Sequence, residues 1–136
     1  EIYTKKIQIE ARVLGDLAMN HIIPVATRYQ GSLLDNVYKI QKLYDTENAL
    51  EIAGQNRTII EDIAKHINQI KSKVDDMVEA RKVANKIENE REKALAYCWN
   101  VAPFLDEIRY HIDKLELMVD NEIWTLPKYR ELLFIR

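Results

Sequence analysis

The chain has 136 residues, of which 47% are hydrophobic and 31% are charged, and its formal net charge is −2. This composition is typical of a folded helical domain with a sizeable core and argues against a disordered chain. Three glycines and three prolines provide too few turns for an all-β or α/β fold. Both charge signs are spread along the chain, so no nucleic acid or anionic membrane is indicated as a partner. No apolar run reaches the roughly 18 residues that span a bilayer.

The first segment, residues 2–44, is predicted to be a helix that is kinked at Pro24. An internal proline removes a backbone donor and clashes with the preceding turn, so we expect the kink within residues 20–24. Gly15 is either a second weak point or a place where another helix packs closely. Apolar residues recur at steps of three and four, which marks one face of a helix: Val13, Leu14, Leu17, Ile22, Val25, Tyr29, Leu33, Val37, Ile40 and Tyr44.

The second segment is predicted to be one long helix over residues 47–98. Residues 45–48 are of the types that cap helix N-termini, so the chain should turn there. The following apolar residues form a coiled-coil-like seam: Ile60, Ile63, Ile67, Ile70, Val74 and Met77. Gly54 allows an early break, because Thr58 and Glu61 have the spacing of a capping box. A continuous helix is the favoured interpretation.

The third segment is predicted to be a turn at residues 99–102 followed by a helix over residues 103–121. Pro103 suits the first position of that helix. A heptad pattern supports the helix, with apolar residues at Leu105, Ile108, Ile112, Leu115 and Val119.

The tail, residues 122–136, is unusually apolar for a free end, and Pro127 should open a short helical turn within it. Tails of this kind dock on another surface. Its large apolar residues are Ile123, Trp124, Leu126, Tyr129, Leu132, Leu133, Phe134 and Ile135. The sequence therefore predicts a single all-α domain over residues 1–136. We expect an elongated antiparallel three-helix bundle with a long coiled-coil-like hairpin, a Pro-kinked first helix and a docked C-terminal segment.

The three histidines are the first candidates for chemistry. Asp62 and His66, like Glu107 and His111, are four residues apart and share a helix face, so metal binding is conceivable; His21 has no such partner. The Glu-x-x-His motif of metal sites in helical bundles is missing from the sequence. A hydrogen bond or ion pair on the helix surface is the favoured interpretation.

Cys98 lies between two aromatic residues and is the one cysteine of the chain. A cysteine nucleophile needs a nearby base and a lowered pKa, and the sequence indicates neither. We therefore expect a small buried apolar residue. A single cysteine cannot form an internal disulfide, which favours a reducing cytoplasm.

The stretch of residues 75–93 is densely charged but of mixed sign. Glu79 and Lys82, and Glu88 and Arg91, are i,i+3 pairs of opposite sign, and Lys86–Glu90 is an i,i+4 pair. We predict a solvated helix flank carrying weakly stabilising pairs rather than a nucleic-acid footprint. Three isolated glycines cannot build a phosphate-binding loop, so no catalytic, cofactor-binding or metal residue is assigned in this chain.

Three long strings carry a resemblance to a known family. They are EARVLGDLAMNHIIPVATRYQ at residues 10–30, EARKVANKIENEREKALAYC at residues 79–98, and EIRYHIDKLELMVDNEIWTLPKYRELLFIR at residues 107–136. The strings resemble the type III glutamine synthetases, the large-subunit bacterial form, and the last is similar to the extreme C-terminus of that family. Residues 31–78 resemble the family only in pattern. Since the chain begins at Glu1 without a methionine, we expect one domain of a longer protein.

The resemblance implies a parent enzyme that joins ammonia to glutamate through a γ-glutamyl phosphate, using ATP and a divalent metal such as Mg²⁺. Its metal carboxylates and phosphate-binding arginines would lie upstream, and no residue of this chain matches a catalytic motif of the family. The family's subunits form hexameric rings, and type III enzymes resemble double-ring dodecamers. The implied partners are the chain's own catalytic domain and neighbouring subunits, in the cytoplasm.

Three functional hypotheses follow for the domain itself. The first is architectural, in domain packing or subunit assembly. The second is a regulatory or protein-interaction module, which would receive a partner around residues 45–54 or at the predicted turn of residues 99–103. The third is a free-standing coiled-coil scaffold that forms dimers through the seam of residues 60–77.

Overall fold

The computed structural model of the chain describes residues 2–119, which are almost entirely helical and include no strand. The elements are α1 (Ile2–Leu17), a first π-helical turn (Ala18–Ile22), α2 (Ile23–Leu43), α3 (Thr46–Asn85), α4 (Glu90–Ala96), a second π-helical turn (Tyr97–Val101) and α5 (Ala102–Met118). The predicted all-α class is confirmed. The predicted tail, residues 122–136 with Pro127, lies outside the described residues.

The turn between α2 and α3 is built by the N-cap of α3. Asp45 has an extended backbone, and its Oδ1 accepts a hydrogen bond from the Asn48 N–H at 2.8 Å. This satisfies one of the backbone donors that every helix N-terminus leaves unpaired. Helix α3 then runs without interruption through Gly54. Thr58 does not cap a restart, because its hydroxyl donates to the Gly54 carbonyl one turn earlier, at 3.2 Å.

Both π-helical turns end two residues before a proline. The Ile23 N–H donates to the Ala18 carbonyl just before Pro24, and the Ala102 N–H donates to the Tyr97 carbonyl just before Pro103. A proline has no N–H and its ring crowds the carbonyl four residues back. Widening the preceding turn to an i→i−5 bond is one way in which a helix accommodates it. The kink at Pro24 stays a prediction.

The helix predicted over residues 47–98 is wrong in its C-terminal part, because α3 ends at Asn85. The N–H groups of Lys86 and Ile87 bond three residues back, at 3.2 and 3.1 Å, which tightens the last turn. Asn89 then starts α4, since its Oδ1 accepts from the Glu92 N–H at 2.9 Å. The Asn89-x-x-Glu92 spacing is a capping signal that the sequence interpretation overlooked.

The predicted turn at residues 99–102 is also wrong. The chain stays helical there, passing through the second π-helical turn into α5, and Pro103 lies in the first turn of α5. Helix α5 ends at Met118 rather than at residue 121, because the Val119 backbone is extended.

The core is formed by the apolar faces of α1, α2, α3 and α5 together with both π-helical turns. The heptad residues of α5 are all buried, as are the seam residues of α3 from Ile63 to Met77. The first segment matches its predicted face less well, since Val13 is 61% exposed and Tyr44 is 45% exposed. Val13 is next to Leu14, which is buried, and adjacent residues of a helix point in different directions. Tyr44 lies beyond the last residue of α2, and its backbone is extended.

Hydrogen bonds between α2 and α3 show that these helices run in opposite directions. Gln30 Nε2 donates to the Ile60 carbonyl at 3.0 Å, and Asn56 Nδ2 donates to Asn36 Oδ1 at 2.9 Å. Moving forward along α2 therefore means moving backward along α3.

Helix α5 packs against both α3 and α1. Glu107 Oε1 of α5 forms an ion pair with Lys73 Nζ of α3 at 3.5 Å. Arg109 Nη2 of α5 forms an ion pair with Glu10 Oε2 of α1 at 3.0 Å. The Arg109–Glu10 pair is two-thirds or more shielded from solvent on both sides. It joins parts of the chain that are 99 residues apart in sequence.

Candidate functional site

The first candidate for a functional site is a pair of histidine side chains between α3 and α5. His66 Nδ1 and His111 Nδ1 lie 2.8 Å apart, and the two ring centroids are 5.1 Å apart. At this distance one ring nitrogen must donate and the other accept, so the pair shares a single proton when both rings are neutral. The sequence placed each histidine with a carboxylate of its own helix, whereas the fold places the two histidines together.

Burial between the helices lowers the pKa of both histidines. For His66 the loss of hydration is the main cause; Lys114 and Lys65 lower its pKa further, while Asp62 opposes them. For His111 desolvation again comes first, followed by the charge of His66 and of Lys73, while Glu107 opposes them. The environment therefore favours neutral imidazoles, which is the form that can share one proton.

The donor set around the histidine pair is small. Zinc sites use three or four nitrogen, sulfur or oxygen ligands. Within residues 2–119 no group of three or more His, Cys, Asp and Glu side chains is arranged to hold a metal ion. Glu107, the predicted partner of His111, instead forms an ion pair with Lys73 Nζ. The geometry therefore makes the pair a polar contact that joins α3 to α5.

A second polar cluster lies at the other end of the helices. The Tyr97 side chain is fully buried, and its hydroxyl donates to Asn85 Oδ1. Gln8 Nε2 of α1 donates to the Tyr97 hydroxyl at 3.0 Å and to Asn85 Oδ1 at 3.1 Å. Three elements therefore meet where α3 ends. Sequence reasoning missed this cluster because its members are up to 89 residues apart and share no local pattern.

Cys98 and His21 are not brought into a catalytic arrangement. Cys98 is partly buried, which agrees only in part with the expectation of a buried residue, and it is a free thiol. A hydrogen bond with the Cys98 side chain is the main cause that raises the pKa of Tyr3. His21 is exposed in the first π-helical turn. His21 therefore does not serve as a base for the Cys98 thiol.

Among the predicted pairs of residues 75–93, Glu79 and Lys82 form an ion pair. Lys82 Nζ lies 3.2 Å from Glu79 Oε2, and both side chains are largely exposed, so the contribution to stability is small. Lys86 and Glu90 lie on either side of the break between α3 and α4, so they do not share a helix face as predicted.

None of the described helices is long and apolar enough to cross a membrane.

Comparison with known proteins finds a family to which this helical chain is similar. Residues 1–41 match the family described as the glutamine synthetase C-terminal domain. This match confirms the resemblance of residues 10–30 to that family.

Two curated relatives are similar to the chain over its full length, and one of them is named a type-3 glutamine synthetase. The chain is 51% identical over all of its 136 residues to a glutamine synthetase of Bacteroides fragilis (strain YCH46). It is 26% identical, again over its full length, to the type-3 glutamine synthetase of Dictyostelium discoideum. The chain spans 19% and 18% of the lengths of these two relatives.

Proposed function

We propose that this chain is the non-catalytic C-terminal helical domain of a glutamate–ammonia ligase. The observation that carries the proposal is the 51% identity to the Bacteroides fragilis enzyme, which extends along the whole chain. The parent protein would join ammonia to glutamate with ATP and Mg²⁺, in the cytoplasm. Its chemistry would reside outside these residues, because the polar clusters described above act as helix-to-helix contacts.

The architecture that we propose is an elongated antiparallel three-helix bundle. Its long axis is the coiled-coil-like hairpin of α2 and α3, supported by the Gln30–Ile60 and Asn36–Asn56 hydrogen bonds. The stretch of residues 90–118 forms the third rod, supported by the contacts of α5 with α3 and α1. A kink at Pro24 and a docked tail over residues 122–136 complete the proposal.

The proposed role of this bundle is architectural. Its buried core joins residues from Ile7 to Val119, and each large apolar side chain buried there stabilises the fold by about 1.5–3 kcal/mol. A long, well-packed helical hairpin holds distances fixed, which suits packing against a catalytic domain or a neighbouring subunit. The proposed partners are the chain's own catalytic domain and neighbouring subunits of a homo-oligomer, a dodecamer by resemblance.

An interaction or regulatory module is the second candidate. The observation that favours it is the apolar surface at the hairpin tip, where Leu43 is 76% exposed and Tyr44 and Leu50 are also exposed. The turn predicted at residues 99–103 no longer supports it, because that stretch is helical. A free-standing scaffold is the weakest candidate, since the relatives are about five times as long as the chain.

The deciding experiment uses the full-length protein with residues 46–121 replaced by a short linker. Light scattering would measure its mass, and glutamine formation would be assayed beside it. Collapse from a ring-sized assembly to small oligomers supports the assembly role, whereas an unchanged mass overturns it. The matched control is the variant Leu43→Ser with Leu50→Ser, which alters the hairpin tip and leaves the core intact. Loss of regulation in that control with unchanged mass would favour the interaction module.

A further inference from the structure

The histidine pair between α3 and α5 has the geometry of a hydrogen bond along the line that joins the two rings. His66 Nδ1 and His111 Nδ1 are 2.8 Å apart, and the ring centroids are 5.1 Å apart. The difference between these distances is close to two imidazole ring radii, so both nitrogens lie nearly on the line between the rings. A metal ion on that line would separate the nitrogens by about 4 Å, since each metal–nitrogen bond is about 2.0–2.1 Å long. The contact therefore has room for a proton only.

The number of protons on the pair decides whether this contact exists. In the neutral pair, one Nδ1 carries a hydrogen and donates it to the bare Nδ1 of the other ring. A first added proton can go to the Nε2 of the donor ring, which leaves the hydrogen bond in place. A second added proton must go to the accepting Nδ1, because no other ring nitrogen is then bare. The doubly protonated pair has two donors and two positive charges that face each other.

The charged groups around the pair have both signs. Three cations disfavour an added proton, two carboxylates favour it, and all five lie on α3 and α5: Lys65, Lys73, Lys114, Asp62 and Glu107. From α1, Glu10 contacts α5 but is paired with Arg109. The charged residues of α2, which packs on α3, are all exposed: Arg28, Asp35, Lys39 and Lys42. Desolvation is the largest cause that lowers the pKa of both histidines, so acid is needed to charge the pair.

The pair divides α5 into two parts that are held differently. Before His111, the Arg109–Glu10 ion pair joins α5 to α1 at 3.0 Å. Histidine is the side chain whose charge ordinarily changes between about pH 5 and 8, and residues 102–110 contain none. From His111 onward, α5 has two turns before it ends at Met118, and the last turns of a helix open most easily. Loss of the pair therefore acts on the C-terminal end of α5.

We propose that the histidine pair is a pH-sensitive latch that holds residues 111–118 on α3 and releases them when both rings are protonated. The release is an increase in local opening rather than a complete detachment, because Ile112 and Leu115 are buried in the same two turns and their exposure to water is unfavourable. The latch makes this end of the domain sensitive to acid and leaves the α2–α3 hairpin unchanged. It does not depend on the ligase activity or on the assembly role.

Hydrogen exchange of the intact protein that contains this chain tests the latch. Mass spectrometry would measure protection factors, which divide out the pH dependence of exchange in an unfolded chain, at a series of pH values between about 5 and 8. Protection of residues 111–118 should fall several-fold as the pH decreases, whereas residues 30–43 of α2 should keep theirs. The variant His66→Gln with His111→Gln should lose this pH dependence, because glutamine does not titrate. The control is His21→Gln, which alters an exposed residue and should keep it.

Three outcomes would overturn the proposal. The first is a fall in the protection of residues 111–118 that persists in the double variant, since it would assign the effect to another group such as the buried Glu116. The second is an equal fall in residues 111–118 and 30–43, and the third is no fall in either. The last two are measured in the original protein, so the test does not require the double variant to fold. None of these results alters the assembly measurement, so the two proposals fail separately.

Discussion

His66 and His111 face each other across α3 and α5 with their Nδ1 atoms 2.8 Å apart. Such a contact requires one nitrogen to carry a proton and the other to lack one. Protonation of both rings would place two like charges at the interface and leave two donors facing each other. The pair therefore links the packing of these helices to pH.

Acidification should weaken the fold through this pair. Burial lowers the pKa of both histidines below the ordinary 6.5, so near that pH the unfolded chain binds more protons than the folded chain. The free energy of unfolding is then fully retained above pH 6.5 and falls as the pH drops through the lowered pKa values. We expect His66→Gln with His111→Gln to flatten this fall. Urea unfolding at a series of pH values between about 5 and 8 measures how the free energy of unfolding depends on pH.

His21 provides the matched control for the pH experiment, because it is exposed on a different element. The variant His21→Gln should keep the pH dependence of the original chain. A double variant whose unfolding free energy still falls as steeply as that of the original chain would rule out the histidine pair as its source.

Tyr97→Phe should destabilise the fold by about 1–2 kcal/mol. The hydroxyl is buried and bonded to both Gln8 and Asn85, so its removal takes one hydrogen bond from each of them and leaves only the bond from Gln8 Nε2 to Asn85 Oδ1. Urea unfolding at neutral pH measures the loss. Tyr110→Phe is the control, since Tyr110 is 55% exposed and should change stability little. Equal effects of the two variants would contradict the role given to the Tyr97 hydroxyl.

Gly15→Ala should stabilise the chain by about 0.5–1 kcal/mol. A Cβ at Gly15 would lie 3.8 Å from Met77 Cε and from Val74 Cγ1, which is ordinary van der Waals contact. Of the two sequence interpretations of Gly15, a need for close helix packing is therefore the less favoured. Gly54→Ala is the reference, because its Cβ would meet nothing within 4 Å. Thermal unfolding that finds Gly15→Ala destabilising and Gly54→Ala stabilising would restore the close-packing interpretation.

Asp45→Ala should lower stability by about 1 kcal/mol, because it removes the N-cap of α3. Asp45→Asn should keep most of the stability, since an asparagine Oδ1 also accepts from the Asn48 N–H. Circular dichroism during heating measures both variants. If the asparagine variant were as unstable as the alanine variant, the charge rather than the hydrogen bond would be responsible.

Several parts of the fold could be predicted from local patterns. The burial of Ile63–Met77 and of the α5 heptad follows from apolar spacing, because a helix of 3.6 residues per turn puts such residues on one face. The turn at Asp45 follows from a cap that acts over three residues. The break before Asn89 was predictable in the same way, since its capping signal is equally local, but the long apolar row was given greater weight.

The sequence by itself determined the helical class, the buried rows, the cap at Asp45 and the family resemblance, because each of these depends on neighbouring residues or on long matching strings. The tertiary structure alone decided that His66 meets His111, that Tyr97 meets Gln8, and that Arg109 meets Glu10. Those outcomes depend on the register between helices. That register is set by how whole apolar faces pack together, and no local pattern specifies it.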